Sequence, residues 1–165
     1  MHDIVRGFKD ILTTPGMDFD FENPPFDPVE FSKTLGEVMF AFGGVGISAC
    51  QIGVPYRIFA IRAVPLMVFF NPKIVDYSGK VSPLIEGCLS FPGVNFPVKR
   101  HDRIRIRYQE PNGEMQLKTF EDYSAHIIQH EFDHTNGILF FDRANRFHRD
   151  RAIKNWSLLK KRNGW

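Results

Sequence analysis

His130-Glu131-Phe132-Asp133-His134 sets two imidazoles four residues apart with a carboxylate beside the first. On a helix such positions share one side, so both rings reach a single metal ion and the glutamate stands next to an open coordination position. There it takes a proton from a water that the metal activates and returns it to a leaving group, which is the chemistry of a metallohydrolase. H-E-x-x-H arises by chance in on the order of one chain in a few hundred of this length, so the pattern needs support from its surroundings. The competing reading is a surface helix carrying two histidines.

A catalytic site of this kind uses three protein ligands and keeps one position for water. A metzincin protease would bring a third histidine six residues after the second, where this chain has Phe140, which cannot bind metal. Thermolysin-like proteases use a later glutamate, yet none follows Glu131, leaving Asp133, Asp142 and Asp150 as the carboxylates. A thiolate is the remaining option. Cys88, in Glu86-Gly87-Cys88-Leu89-Ser90, is the better candidate because the neighbouring glycine lets backbone amides approach whatever the metal binds. Cys50 is the other, either as ligand or as a small buried apolar residue. His126, one turn before His130, would close the open position if it were a fourth ligand, and is expected as a polar residue near the pocket rim. His2, His101 and His148 lie in polar contexts and read as surface residues.

These residues need elements to carry them. Asp27, Pro28 and Glu30 form a helix start with a capping side chain, a proline at the first position and a glutamate placed to bond back. Phe31, Leu35, Val38, Met39 and Phe42 continue it as one apolar stripe to about Phe42. Gly43, Gly44 and Gly46 stop that helix and begin a loop. Short strands are expected at 57–61, 66–70 and 73–77, and alternation of arginine with apolar residues marks another at 103–108, turned back by Pro111-Asn112-Gly113. A second helix starts near Thr119 with Asp122 three residues on, carries Tyr123, Ile127 and Ile128 on its apolar side, and stops at Gly137. Ile153, Trp156 and Leu159 predict a third, amphipathic helix. The fold class is α+β, antiparallel strands packed around a central helix that carries the H-E-x-x-H residues.

At 165 residues and 19.1 kDa the chain fits one domain, 1–165, ending in a basic helical segment over 143–165. Hydrophobic residues at 43% and charged residues at 24% exclude a disordered or fibrous class. No apolar run approaches the roughly 20 residues that span a bilayer, and the acidic residues among the first 25 argue against a signal or transit peptide. Two cysteines are too few for a disulfide framework, so a reducing compartment, the cytoplasm, is expected, with no membrane association. The net charge of +2 hides an asymmetry: 143–165 holds eight Lys/Arg against Asp150 alone, a local charge of +7, leaving −5 on the other 142 residues. Such a segment is either a solvated helix face or a surface for an acidic partner.

Three segments together resemble the peptide deformylase family. Gln129 to His134 reads as a complete Q-H-E-x-D-H, Glu86 to Ser90 as a complete E-G-C-L-S, and Gly44 to Gln51 as G-V-G-I-S-A-C-Q against G-x-G-x-A-A-x-Q, with Ser48 in place of the first alanine. Their order and spacing also fit, and the resemblance covers roughly residues 27–142. It implies a hydrolase that removes the N-formyl group from the initiator methionine of nascent polypeptides and releases formate. It also implies that Cys88, His130 and His134 bind the metal, that Glu131 is the general acid/base, and that Gln51 and the Leu89 backbone amide stabilise the oxyanion. Ferrous iron is the implied ion, with zinc, nickel or cobalt able to occupy the same site. Gly44, Val45, Gly46, Glu86 and Gly87 are expected along an extended substrate, and Leu84, Phe91, Tyr123 and Ile127 as walls of a pocket for the methionine side chain. Ser48 needs a hydrogen-bond partner for its hydroxyl. In some bacterial members the C-terminal helix docks on the ribosome, a part that 143–162 would play here. The rival readings are a metallopeptidase, whose product is a shortened peptide, and an inactive peptide-binding relative without turnover.

Overall fold

The computed structural model describes residues 3–164. A short helix, α1 (Asp10–Thr13), precedes α2 (Pro28–Ala41). The Asp27 carboxylate caps α2 by accepting from the Val29 and Glu30 amides at 2.8 and 3.0 Å, and Pro28 fills the first position, where no amide hydrogen is required. Glu30 does not complete a capping box; it pairs with Lys33 at 2.6 Å on the exposed side. Leu35, Val38 and Met39 bury the apolar stripe against Phe19, Ile47, Ala60, Val68 and Phe70.

The strands β1 (Gly46–Ser48), β2 (Ile58–Ile61), β3 (Met67–Gly87), β4 (Asn95–Gln109) and β5 (Met115–Glu121) make one antiparallel sheet in chain order. The stretch read as a loop after α2 therefore becomes an edge strand at Gly46, paired with Ile61. The runs at 66–70 and 73–77 are one strand of 21 residues, with a register shift between Phe70 and Lys73. Asn71, at φ 49°, absorbs that irregularity, and its side-chain amide bridges the Phe19 amide and carbonyl at 2.7 and 2.8 Å. In β4, Ile104, Ile106 and Tyr108 are buried while Arg103, Arg105 and Arg107 are exposed, as the alternation predicts, but the strand begins eight residues earlier than 103.

Thr119 is no helix cap. It pairs with Arg105 inside β5, whose ladder with β4 outweighs the local capping pattern, and α3 (Asp122–Thr135) starts directly from the strand with Asp122 at φ 53° making the corner. Gly137, at φ 69°, lies just beyond its end, as expected. Ala125 and Ile128 press α3 onto the sheet through Phe59, Phe69, Ile104, Ile106 and Tyr108. Each fully buried aliphatic or aromatic side chain there contributes roughly 1.5–3 kcal/mol.

The chain ends in α4 (Phe140–Arg143) and α5 (Arg146–Asn163). Asn145 caps α5 by accepting from the His148 amide at 2.9 Å. Ala152 and Trp156 dock it on Phe91, Phe96, Phe140 and Phe141, while its arginines and lysines stay exposed.

Candidate metal centre and active site

Four elements converge at the carboxyl end of β3. The helix α3 presents His130 and His134 on one side, with ring centroids 5.1 Å apart. The end of β3 delivers Cys88, whose Sγ lies 3.3 Å from His134 Nε2. One donor atom from each of Cys88, His130 and His134 falls within 4.8 Å of the other two. Cys50 is excluded from this group. It is 5% exposed among apolar residues of the cluster around Phe91, its Sγ points at the His134 carbonyl at 3.8 Å, and burial pushes its thiol well above the ordinary range.

A buried charge network holds the two histidine rings in different states. Glu86 Oε2 lies 2.8 Å from His130 Nδ1, and Oε1 lies 2.6 Å from His126 Nε2, although that ring is turned off the line of a good hydrogen bond. Arg100 grips the same carboxylate through Nε and Nη2 at 2.5 and 3.1 Å, and its Nη1 reaches Asp133 Oδ2 at 2.7 Å. Arg143 closes the chain on Asp133 at 2.6 and 3.0 Å. Burial alone would raise Glu86, but its close contacts with His126, His130 and Arg100 outweigh it and hold the carboxyl far below its usual range. Burial works against protonation of His130, but bonds to Cys88 and Glu86 push that ring up to about 10 in the metal-free protein. His134 is driven well below the usual imidazole range, first by burial and then by the positive charges of His130 and Arg100.

Glu131 is 4% exposed, and burial raises its pKa despite the opposing effects of the His130 charge and a hydrogen bond from Ser48. That bond is 2.8 Å, Ser48 Oγ to Glu131 Oε2, so the serine has the partner its hydroxyl requires. Gln51 sits in the helical turn Ala49–Ile52, where its Oε1 accepts from the Ser48 amide at 2.8 Å. This orients Nε2 toward Ser90 Oγ at 3.1 Å and Cys88 Sγ at 3.4 Å.

A cavity of about 280 Å³ opens in front of these groups. Gly44, Val45, Gly46, Leu84, Glu86, Gly87, Tyr123 and Ile127 line it together with Gln51, Cys88, Leu89, His130 and Glu131. Phe91 does not. It is fully buried against Phe8, Phe141 and Trp156, because the turn after Cys88 points it into the core beneath α5. His126 is a lining residue drawn inward by Glu86, 5% exposed, not a rim residue. His101 is half-buried under Tyr77, with ring centroids 5.6 Å apart, and His148 is half-buried on α5, so neither is a plain surface residue; His2 lies outside the described residues. Ile85, which also lines the cavity, and the Arg100–Asp133–Arg143 chain escaped the sequence reading. Arg100 carried a readable signal: it follows Phe96 and Val98 on the inward side of β4, an arginine where the alternation demands a buried residue.

The donor set fits a divalent first-row ion. A half-buried thiol and two imidazoles meet at one point, Glu86 occupies His130 Nδ1 and so leaves its Nε2 for coordination, and neutral His134 keeps a lone pair available.

The polypeptide deformylase family model matches residues 1–150. A peptide deformylase of Pseudothermotoga lettingae is 42% identical over 114 residues, 69% of this chain and 67% of that one. A peptide deformylase of Maricaulis maris is 34% identical over 165 residues, covering 93% and 94%. Among solved structures, a peptide deformylase from Legionella pneumophila is similar over 99% of this chain and 98% of that one, with a TM-score of 0.90 and 27% identity.

Proposed function

The chain belongs to the polypeptide deformylase family and is a metal-dependent hydrolase acting on formyl-methionyl peptides; on that premise we propose which of its residues do the work. Cys88, His130 and His134 hold the metal, Glu131 moves the proton, and Gln51 with the Leu89 amide receives the developing negative charge. The observation that carries this reading is the convergence of three donor atoms, one from the end of β3 and two from α3, within 4.8 Å of one another. When bound, the metal supplies Lewis-acid chemistry, lowering the pKa of a water and polarising the formyl oxygen.

The protein's own part follows from its geometry. The Glu86 bond to Nδ1 leaves Nε2 of His130 as the nitrogen for the metal, and an anionic partner raises the basicity of the ring. Glu131 accepts a proton from the attacking water and delivers it to the amine nitrogen as the formyl C–N bond breaks, leaving formate and a free amino terminus. Its raised pKa suits a group that must give the proton back. Each donor to the oxyanion is worth about 3–4 kcal/mol when it is held in place, and Gln51 is fixed at both ends of its amide. Gly44 and Val45, which lead into the edge strand, Gly46 at the start of β1, and the main chain of Glu86 and Gly87 offer backbone groups to an extended peptide. Leu84, Tyr123 and Ile127 supply the apolar wall for the methionine side chain.

We assign ferrous iron as the working ion, with zinc, nickel or cobalt as competent substitutes, since a thiolate and two imidazoles suit all four. The whole chain is one catalytic domain working in the cytoplasm; among the described residues no helix is long and apolar enough to cross a membrane. The exposed basic face of α5, part of the +7 segment, is the surface that meets the ribosome. Incubating metal-loaded protein with a formyl-methionyl tripeptide and assaying formate tests the assignment. Formate release that Cys88→Ala or Glu131→Ala abolishes supports it, whereas a shortened peptide or no turnover returns the metallopeptidase or the inactive relative.

A further inference from the structure

Ser48 stands where G-x-G-x-A-A-x-Q has its first alanine, and it is 1% exposed. Its Oγ has two acceptors on one residue: Glu131 Oε2 at 2.8 Å and the Glu131 carbonyl oxygen at 3.1 Å. A hydroxyl has one proton to donate, and the shorter contact, to the carboxylate, takes it. Gly46 closes in on the same group. A Cβ there would stand 2.5 Å from Glu131 Oε1 and 2.9 Å from Cγ, so only a glycine lets the carboxylate lie against β1. The Ser48 amide meanwhile donates to Gln51 Oε1 at 2.8 Å. One residue thus ties the carboxylate of Glu131 by its side chain and the carboxamide of Gln51 by its backbone.

We infer that Ser48 is a positioning residue for deformylation: its hydroxyl holds Glu131 Oε2, leaving Oε1, seated over Gly46, to exchange the proton with the reacting water. The inference rests on the acid/base role proposed for Glu131. A carboxylate released from that bond spreads over more rotamers, and the loss falls on the step in which the proton moves, not on peptide binding. The backbone bond to Gln51 survives removal of the hydroxyl, so the oxyanion donor stays in place.

Ser48→Ala, Ser48→Thr and Glu131→Gln test this on the metal-loaded enzyme with a formyl-methionyl tripeptide. Alanine is the residue of the motif at this position, so S48A folds. In S48A kcat falls about tenfold, with KM and metal content as in the unmodified protein. S48T, which keeps the hydroxyl, stays within about twofold of the unmodified kcat. Independently of turnover, the carboxylate stretch in the infrared difference spectrum, assigned to Glu131 by its loss in E131Q, shifts in S48A. An unchanged kcat in S48A, a loss confined to KM, or an unmoved band overturns the inference, and these S48A results decide it even if S48T fails to fold. Formate release by E131Q at the unmodified rate would instead overturn the role of Glu131 itself.

Discussion

Glu86 Oε2 lies 2.8 Å from His130 Nδ1, so the residue two places before the cysteine in the chain orients the histidine that faces it across the site. The two-residue offset from Glu86 to Cys88 at the end of β3 thereby couples the thiol and the imidazole to one piece of backbone. Glu86→Gln keeps the size of the side chain but removes the charge that fixes the His130 tautomer. Metal affinity should fall about 10–100-fold, measured by competition with a chromophoric chelator. Affinity equal to that of the unmodified protein would remove Glu86 from the metal's support.

The same pair sets a pH dependence in the metal-depleted protein. Glu86 has its pKa depressed on folding, so its contribution is complete above the unfolded carboxylate value of about 4.3 and is lost progressively as pH falls from there toward the depressed folded value. His130 is raised to about 10 by Cys88 and Glu86 together, so the part of its contribution that Glu86 supplies is complete below the unfolded imidazole value of about 6.5 and is lost as pH climbs toward 10. The stability gap between unmodified protein and E86Q, from urea unfolding, should therefore be widest between about pH 4.5 and 6.5 and narrow on both sides. A gap independent of pH contradicts the pairing.

Arg100, 5% exposed, is shared by Glu86 and Asp133. Arg100→Leu removes the buried cation between two buried carboxylates, leaving Glu86 to His130 and Asp133 to Arg143, and should cost about 3–5 kcal/mol by chemical denaturation. Arg143, 45% exposed at its side chain, touches only the outer end of the chain through Asp133, so Arg143→Ala should cost far less. Equal losses would mean that the network is not graded by burial.

Gly46→Ala pushes a methyl into the space of the Glu131 carboxylate, within 2.5 Å of Oε1. Because the strain falls on a side chain at the cavity wall, kcat should drop by about two orders of magnitude or more while metal content holds. Retention of full activity would mean that Glu131 does not need its present seat.

Truncation after Asp142 addresses the basic helix, with one complication visible in the structure. Trp156 and Ala152 of α5 bury against Phe91 and Phe140, so removing the helix would expose that core and confuse two effects. Reversing exposed charges instead, Arg151→Glu with Lys154→Glu, should weaken ribosome binding and flatten its salt dependence while leaving formate release from a short peptide intact. Binding that is indifferent to the reversal excludes α5 as the docking surface.

Much of the site was legible because its parts are local. His130, Glu131 and His134 are fixed relative to one another by one helical turn, while the missing third ligand pointed to a thiolate and the resemblance of Glu86 to Ser90 to the family's motif chose Cys88 over Cys50. The residues that escaped depend on pairing across the chain. Nothing beside Thr119 reveals that β4 claims it for the sheet, so a capping pattern prevailed where a ladder exists. Phe91 lies three residues after Cys88, and only the position of α5 shows that its ring turns toward Trp156 and away from the cavity. Arg100 was readable in principle from the period of β4, but the partners that make its burial tolerable, Glu86 and Asp133, sit 14 and 33 residues away.

X-ray absorption at the metal edge of the zinc-loaded protein tests the central claim most directly. One sulfur at about 2.3 Å with two imidazole nitrogens near 2.0–2.1 Å is the expected first shell, and Cys88→Ser should erase the sulfur while Cys50→Ser leaves it. A shell with no sulfur, or one that survives the loss of Cys88, contradicts the account.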